Sequence, residues 1–188
     1  GLGGAYLSGM KYAIEKLNAD ILFEFDADLS HDPKLVPQFL SKIENGYDMV
    51  LGSRYIKGGS IPANWGLKRK FYSVIGNIVI MPVLTDFRIR DWTTGYRAIK
   101  RQVYEKVLPK LGYERFFGYT FQIGFLHNAV RAGFKIGEVP LKFVDRTLGR
   151  SKLGAEYIKN TLIYIFKARF LELSRFFKFI IVSACLSS

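Results

Sequence analysis

The sequence predicts an α/β domain with a mostly parallel sheet flanked by helices. Apolar residues at helical spacing alternate along the chain with short, strongly apolar runs of the length of buried strands. Two of these runs, residues 21–25 and 47–53, flank a helical stretch over residues 34–44. A helix of that length between two strands is typical of a right-handed crossover, which makes the two strands parallel.

The remaining elements follow from the same patterns. The sequence predicts helices over residues 2–17, 34–44, 102–108 and 118–132, and strands over residues 21–25, 47–53 and 135–144. Pro33 marks the start of the second helix and Gly46 its end. Pro140 inside the last strand favours an edge position or a bulge. Residues 91–97 form a dense polar and aromatic stretch, and we expect a loop there that leads into the next helix.

Composition limits the class of protein. The chain has 188 residues, 49% hydrophobic and 23% charged, which excludes a disordered sequence and allows one domain with a real core. The single cysteine, Cys185, excludes an internal disulfide and a cysteine zinc site. The chain has two histidines, His31 and His127, which argues against a histidine-rich metal centre. Gly1 opens directly into a helical pattern, so we expect part of the fold to precede it.

The positive charge is concentrated in two segments. The formal net charge is +12. Residues 49–85 carry five basic and no acidic residues, and residues 146–188 carry eight basic and two acidic residues. A positive field that is so localised indicates an anionic partner: phosphate groups, anionic lipid or nucleic acid.

Two carboxylates, Asp26 and Asp28, directly follow the first predicted strand. Unpaired charges are excluded from a core, so the strand must end there, at the sheet edge where α/β proteins bind ligands. Side chains two residues apart in an extended segment point to the same side and can reach one hard cation, Mg²⁺ or Mn²⁺. A plain polar turn after the strand fits the motif equally well. The next strand delivers Arg54 to the same edge.

A basic, glycine-bearing loop covers residues 145–153. Its donors Arg146, Arg150 and Lys152 suit a diphosphate, although a solvated loop has the same composition. Together with the acidic pair, this loop favours a substrate that carries a metal-bound diphosphate.

Three apolar stretches bear on membrane association. Residues 65–85 begin with Trp65 and a basic cluster, and the apolar run that follows is shorter than the ~20 residues that cross a bilayer. They fit a buried core helix or a helix that lies in a membrane interface. Residues 155–170 predict a second amphipathic helix, and residues 175–188 look like the opening of a transmembrane helix.

Several motifs occur in a fixed order along the chain: Phe-Asp-Ala-Asp-Leu-Ser-His-Asp-Pro (25–33), Gly-Ser-Arg-Tyr (52–55), Lys-Arg-Lys (68–70), Asp-Trp-Thr-Thr-Gly-Tyr-Arg (91–97), Gly-Tyr-Thr-Phe-Gln (118–122), Gly-Glu-Val-Pro (137–140) and Asp-Arg-Thr-Leu-Gly-Arg-Ser-Lys-Leu (145–153). Over residues 1 to 170 this set resembles the dolichol-phosphate mannose synthases, which belong to glycosyltransferase family 2. The resemblance implies a GT-A fold whose first strand or strands are missing, with added amphipathic helices at the membrane interface. The tail is similar to the start of a GtrA-like membrane domain.

The resemblance also implies roles for individual residues. Asp26, Asp28 and Ser30 match the positions that hold the divalent metal, and Asp28 also matches a catalytic position. Asp26 and Asp28, with Arg146 and Lys152, match the positions that bind the donor diphosphate.

Other matching positions concern the acceptor and the sugar. Arg54, Lys68 and Arg69 match the basic groups that bind the acceptor phosphate. Arg54, Asp91 and Gln122 match catalytic positions, with Asp91 on the sugar side and Gln122 at the edge of the active site.

The implied activity is an inverting, Mg²⁺- or Mn²⁺-dependent transfer of a hexose, mannose first, to a polyprenyl or dolichyl monophosphate. The implied partners are a nucleotide-sugar (GDP-mannose or a UDP-sugar), the lipid phosphate and the membrane surface, with no nucleic acid, and the catalytic domain would lie on the cytoplasmic face. We expect a partial catalytic domain at 1–154, an interface helix at 155–174 and the start of a membrane span at 175–188. Alternatives are a related glucosyl- or aminosugar transferase and a non-enzymatic basic module that binds membrane or nucleic acid, for which the acidic pair has no use.

Overall fold

A computed structural model describes residues 2–28, 30–111, 119–145 and 155–186. The chain forms six α-helices and four strands over these residues: α1 (Leu2–Leu17), β1 (Ile21–Glu24), α2 (Val36–Glu44), β2 (Met49–Ser53), α3 (Leu67–Val83), β3 (Arg97–Lys100), α4 (Arg101–Val107), α5 (Tyr119–Arg131), β4 (Ile136–Pro140) and α6 (Ala155–Leu186). Short 3₁₀ turns precede α2 (Pro33–Leu35) and follow α4 (Leu108–Lys110).

Most elements form where the sequence predicts them, with local signals at their ends. The Asp32 side chain accepts a hydrogen bond of 2.9 Å from the Lys34 backbone N–H, and so caps the turn that leads into α2. Gly46, with φ of +88°, ends α2 in the left-handed conformation that glycine adopts without strain. β4 ends at Pro140 and lies at one edge of the described sheet, in agreement with its proline.

The third strand, β3, corrects the sequence prediction. Residues 97–100 were expected to lead from a loop into a helix, but they form a strand between β1 and β2, and the sheet order is β1-β3-β2-β4. β3 is antiparallel to both neighbours, whereas β1, β2 and β4 share one direction. Four residues are too few to show strand alternation, and hydrogen bonds to two neighbouring strands make this segment extended. The crossover from β1 through α2 therefore joins parallel strands that are not adjacent.

Helices cover both faces of the sheet. Alternate strand residues point to opposite faces. One face holds Val50, Ala98 and Val139 against Phe39 and Ile43 of α2. The opposite face contributes to a larger cluster, which contains residues of the sheet and of the helices α1, α3, α4, α5 and α6: Met10, Leu22, Met49, Leu51, Ile80, Ile99, Val103, Phe121, Phe125 and Ile165. The chain is thus a layered α/β domain with its main core between the sheet and these helices.

α3 is not a buried core helix. Its apolar residues Leu67, Phe71 and Ile78 are 86%, 59% and 50% exposed, and only Ile80 and the polar Asn77 are buried. The alternative of a core helix for residues 65–85 is therefore wrong. α3 contacts the domain along one side and presents a second apolar side outward.

α6 is one continuous helix. It includes residues of both the expected interface helix at 155–174 and the expected start of a membrane span at 175–188. It packs against α5 and α3, with Ile165 buried, while Ile163, Phe166 and Phe170 are each more than half exposed. Within the described ranges, no helix combines the length and the apolar character that a membrane span requires.

Candidate active site

The insertion of β3 brings the loop at residues 91–96 to the functional edge of the sheet. In the register, Arg97 at the start of β3 pairs with Glu24 on β1 and with Leu51 on β2. The start of β3 therefore lies beside the carboxyl ends of β1 and β2. As a result, this loop meets the residues that follow those strands, Asp26 and Arg54.

The acidic pair lies at this edge as predicted. The Asp26 side chain is 42% exposed, and its Oδ1 accepts a hydrogen bond of 3.3 Å from the Tyr6 hydroxyl. A Cβ atom on Gly95 would lie 3.9 Å from both carboxylate oxygens of Asp26, so the backbone of the 91–96 loop faces them. Asp28 Oδ1 accepts a hydrogen bond of 3.1 Å from the Ser30 backbone N–H. The buried Ser30 Oγ makes no hydrogen bond within the described part of the chain.

His31 contacts Asp26 of the acidic pair, which the sequence did not indicate. Its Nδ1 accepts a hydrogen bond of 3.0 Å from the Asp26 backbone N–H, and its Nε2 lies 3.8 Å from Asp26 Oδ2. Because Nδ1 is an acceptor, the neutral ring carries its proton on Nε2, on the Asp26 side. Burial lowers the pKa of His31, with Asp26 opposing that effect. The ring stacks on Tyr96 at 4.8 Å.

Tyr6 is a second contact of Asp26 that the sequence did not single out. It occupies an apolar position of α1, and its ring stacks on Phe121 of α5 at 5.9 Å with an interplanar angle of 8°. Burial, followed by the nearby Asp26 charge, raises the pKa of Tyr6 far above its usual range. The hydroxyl therefore stays protonated and acts as a donor to the carboxylate. Only its place in the fold distinguishes it from a core tyrosine.

Arg54 and Asp91 form a buried ion pair. Arg54 Nε and Nη2 donate to the two oxygens of Asp91 at 2.7 Å each, and the Arg54 backbone N–H adds a third bond of 3.0 Å. Nη2 also donates to Thr93 Oγ1 at 2.8 Å. The side chains are 9% and 0% exposed. The structure thus brings together two predicted catalytic residues and fixes their relative orientation.

Two further residues hold the loop from outside it. The Glu138 carboxylate on β4 accepts hydrogen bonds from the backbone N–H groups of Arg90 and Asp91, at 3.2 and 3.1 Å. Asn77 Oδ1 on α3 accepts a bond of 2.8 Å from the backbone N–H of the buried Trp92. In the sequence Asn77 is only a polar residue that interrupts an apolar run. That interruption is the one sequence signal that could have indicated its polar contact.

Gln122 lies on α5, and its place at the edge of the active site stays a prediction. Its side chain is buried beside Glu24, and its backbone carbonyl accepts a bond of 2.8 Å from Arg97 Nη1. Arg97 also donates to the carbonyls of Trp92 and Thr94, and its Nε is 3.8 Å from the Glu24 carboxylate. Burial, opposed chiefly by Arg97, raises the pKa of Glu24 to about 7. This buried group ties the loop to α5, and a direct role of Gln122 in a reaction stays a prediction.

Two of the three predicted acceptor residues, Lys68 and Arg69, lie on the first turn of α3, whereas Arg54 follows β2. The Arg69 guanidinium is 3.8 Å from the ring centroid of Trp65, and its Nη1 is 3.1 Å from Asp145 Oδ2. Lys68 is exposed, with its Nζ 5.9 Å from the Tyr72 ring. The predicted donor-diphosphate residues Arg146 and Lys152 lie outside the described residues. Among the described residues, no three acidic, histidine or cysteine side chains cluster closely enough to hold a metal ion by themselves.

Comparison with known proteins agrees with this architecture. Residues 1–108 match the family described as Glycosyl transferase family 2. The chain is 36% identical to polyprenol monophosphomannose synthase of Mycolicibacterium smegmatis over 165 residues, which are 88% of this chain and 60% of that protein. It is 34% identical to undecaprenyl-phosphate mannosyltransferase of Micrococcus luteus, over 88% of this chain and 65% of that protein.

The chain therefore spans less than two thirds of the length of these two relatives. The family match covers more than half of the chain, and the mixed α/β sheet flanked by helices agrees with the GT-A fold that the family implies. On this evidence the chain is a member of glycosyltransferase family 2.

Proposed function

We propose that this chain contributes the catalytic domain of an enzyme that transfers mannose from a nucleotide-sugar, GDP-mannose first, to a polyprenyl monophosphate. The observation that carries the proposal is the meeting of three groups at one sheet edge. The acidic pair, the Arg54–Asp91 ion pair and the backbone of Gly95 surround the same edge. Both relatives described above carry names that state mannose transfer to a polyprenyl phosphate.

The residues at this edge fit a divalent cation. Asp26 and Asp28 supply hard carboxylate oxygens, and the Ser30 hydroxyl is buried with no hydrogen-bond partner among the described residues. This set is too small to hold an ion alone. Mg²⁺ and Mn²⁺ commonly bind one or two carboxylates and complete their shell with substrate phosphates and water. When bound, such an ion would neutralise the charge that develops on the leaving diphosphate.

The state of His31 agrees with an acceptor that is already ionised. A hydroxyl acceptor needs a general base within reach of its proton. Nδ1 of His31 is already an acceptor for the Asp26 backbone N–H, and its proton lies on Nε2. The ring therefore has no free lone pair to remove a proton. A phosphate monoester carries its negative charge at neutral pH and attacks the sugar without such a base.

The chain's own residues would then act by position and charge. Arg54 holds Asp91 at a fixed place beside the acidic pair, which lets the 91–96 loop orient the sugar. Arg69 offers a guanidinium for the acceptor phosphate, and Arg146 and Lys152 are proposed for the donor diphosphate. A single displacement at the anomeric carbon inverts its configuration.

The surfaces of α3 and α6 support action at a membrane. Phe71 on α3 and Phe166 and Phe170 on α6 are more than half exposed, and basic residues accompany them on both helices. Apolar side chains beside basic ones suit the boundary between acyl chains and anionic headgroups. We propose that these helices place the site at the surface where the lipid acceptor lies, on the cytoplasmic face.

The test uses the full-length protein with Mn²⁺ and a polyprenyl monophosphate. Radiolabelled sugar from GDP-mannose should appear in the lipid fraction and should disappear on addition of EDTA. Asp26→Asn and Asp28→Asn should each lower transfer by at least about 100-fold, as loss of a charge-stabilising group does. Asp20→Asn is the matched control, because Asp20 is 88% exposed at the opposite end of β1.

The alternatives predict different outcomes. If sugar is transferred only from UDP-glucose or a UDP-aminosugar, the donor is that nucleotide-sugar and not GDP-mannose. Equal transfer by the parent and both site variants would refute the proposal. Sub-micromolar, salt-sensitive binding of DNA or RNA without any binding of nucleotide-sugar would favour a non-enzymatic basic module.

A further inference from the structure

Two arginines near the candidate site are each paired with a carboxylate, but the two pairs differ in burial. Arg54 meets Asp91 with two side-chain bonds of 2.7 Å and one backbone bond, and both side chains are nearly inaccessible. Arg69 Nη1 donates to both carboxylate oxygens of Asp145, at 3.1 and 3.3 Å, and these side chains are 26% and 25% exposed. The two ion pairs therefore have different costs of separation.

Burial makes the Arg54–Asp91 pair a fixed part of the fold. Removing either partner leaves a charge that water cannot reach, which is strongly destabilising. Asp91 is also held by the Arg54 backbone N–H and contacts Thr93. An incoming phosphate would have to break this whole set to take the Asp91 position. Arg54 is thus a poor candidate for an exchangeable phosphate ligand through Nε and Nη2.

The Arg69–Asp145 pair has the opposite character. Partly exposed ion pairs contribute little to stability, so exchange of one anion for another is inexpensive. Arg69 is also held by a contact that does not depend on Asp145, because its guanidinium lies 3.8 Å from the ring centroid of Trp65. Trp65 is buried and packs against Phe143 of the same segment as Asp145. The guanidinium therefore keeps its place when its anion changes.

We propose that Asp145 is an internal competitor for the acceptor phosphate at Arg69. Its carboxylate occupies the guanidinium when no lipid phosphate is bound, and the phosphate displaces it on binding. A phosphate monoester carries more charge than a carboxylate and offers more acceptor oxygens to the planar guanidinium, so the exchange favours the substrate. This inference rests on the proposed function, because it concerns the acceptor of that reaction. It assigns Asp145 as a positioning residue that sets acceptor affinity.

The experiment compares Asp145→Asn with the parent in the full-length protein, using a polyprenyl monophosphate and the nucleotide-sugar that the parent accepts. Removing the competing charge should lower the KM for the lipid phosphate about two- to fivefold, the size of a partly exposed ion pair. The KM for the nucleotide-sugar should not change. A residue with a merely structural role would change both constants together or lower the melting temperature without this split.

Arg69→Gln and Asp20→Asn complete the design. Arg69→Gln should raise the KM for the lipid phosphate, and Asp145→Asn should then give no further change. Asp20→Asn removes the same charge at an exposed distant site and should leave both KM values as they are. Asp145→Ser repeats the test if the asparagine variant melts below the parent.

An unchanged or higher KM for the lipid phosphate in folded Asp145 variants of an active enzyme would overturn the inference, as would the same decrease in the Arg69→Gln background. A parent that transfers no sugar to any lipid phosphate would contradict the proposed function instead.

Discussion

The Arg54–Asp91 pair allows a quantitative prediction for stability. Asp91→Asn keeps the shape of the side chain but removes the charge that faces the nearly buried Arg54 guanidinium. Breaking a buried pair in this way costs about 3–5 kcal/mol, because the nearly buried guanidinium loses the carboxylate that binds it through two hydrogen bonds. For a domain of this size 1 kcal/mol changes the melting temperature by about 2–4 °C, so we expect a decrease of about 6–20 °C.

The measurement is thermal unfolding of the purified full-length protein, followed by circular dichroism at neutral pH. Glu105→Gln is the control, since Glu105 forms an exposed pair with Arg101 at 3.7 Å on α4. Such a pair contributes under about 1 kcal/mol, which is a change of less than about 4 °C. Equal melting temperatures for the two variants would refute the conclusion that the Arg54–Asp91 pair is a fixed part of the fold.

Two further predictions concern α1 and the contact between α5 and α6. Gly3→Ala would place a Cβ 2.8 Å from the buried Phe121 ring and should lower the free energy of unfolding by about 1–3 kcal/mol. In Gly4→Ala the added Cβ meets no atom within 4 Å, and the free energy of unfolding should rise by about 0.5–1 kcal/mol. Denaturant titration of both variants measures these changes. Burial keeps the pKa of His127 below its usual 6.5, although Glu172 opposes this effect at 3.0 Å. The unfolded chain therefore takes up a proton that the folded chain does not, and stability should decrease as the pH falls through 6.5. The measurement is the melting temperature of the parent and of His127→Gln between pH 7.5 and 5.5. The melting temperature of the variant should depend less on pH than that of the parent.

Each of these predictions has an outcome that contradicts it. Gly3→Ala as stable as Gly4→Ala would show that the Phe121 ring moves aside without cost. A pH dependence as steep in His127→Gln as in the parent would show that other groups control it. Glu172, 3.0 Å from His127, favours the protonated ring, so the parent should lose less stability than an unpaired buried histidine would cause; Arg131, which also pairs with Glu172 at 3.0 Å, opposes this effect.

Much of the fold can be predicted from local patterns. α1 begins and ends at Leu2 and Leu17, as its apolar spacing predicts. The strands β1 and β2 and the intervening α2 also lie where the apolar runs and the Pro33 and Gly46 signals place them. These elements could be predicted because each carries its own periodicity and its own start or stop residues. β3 carries neither, since its four residues depend on neighbouring strands for their hydrogen bonds.

The charged groups of the candidate site could be predicted from the sequence, but their contacts could not. Asp26 and Asp28 follow a buried strand, and that position alone predicts their exposure at the sheet edge. His31, Tyr6 and Asn77 reach the site through contacts that no spacing in the sequence indicates. The roles of Arg146 and Lys152 stay predictions, because these residues lie outside the described ranges.

The sequence by itself determined the α/β class, the acidic pair at the end of a strand and the placement of positive charge, because each of these depends on residues that are close in the chain. The tertiary structure decided which charges face one another. It inserted β3 between β1 and β2, and this brought Asp91 to Arg54 across 37 residues. The physical reason is that pairing between distant segments depends on the whole sheet and its packing, whereas periodicity reports only on neighbours in sequence.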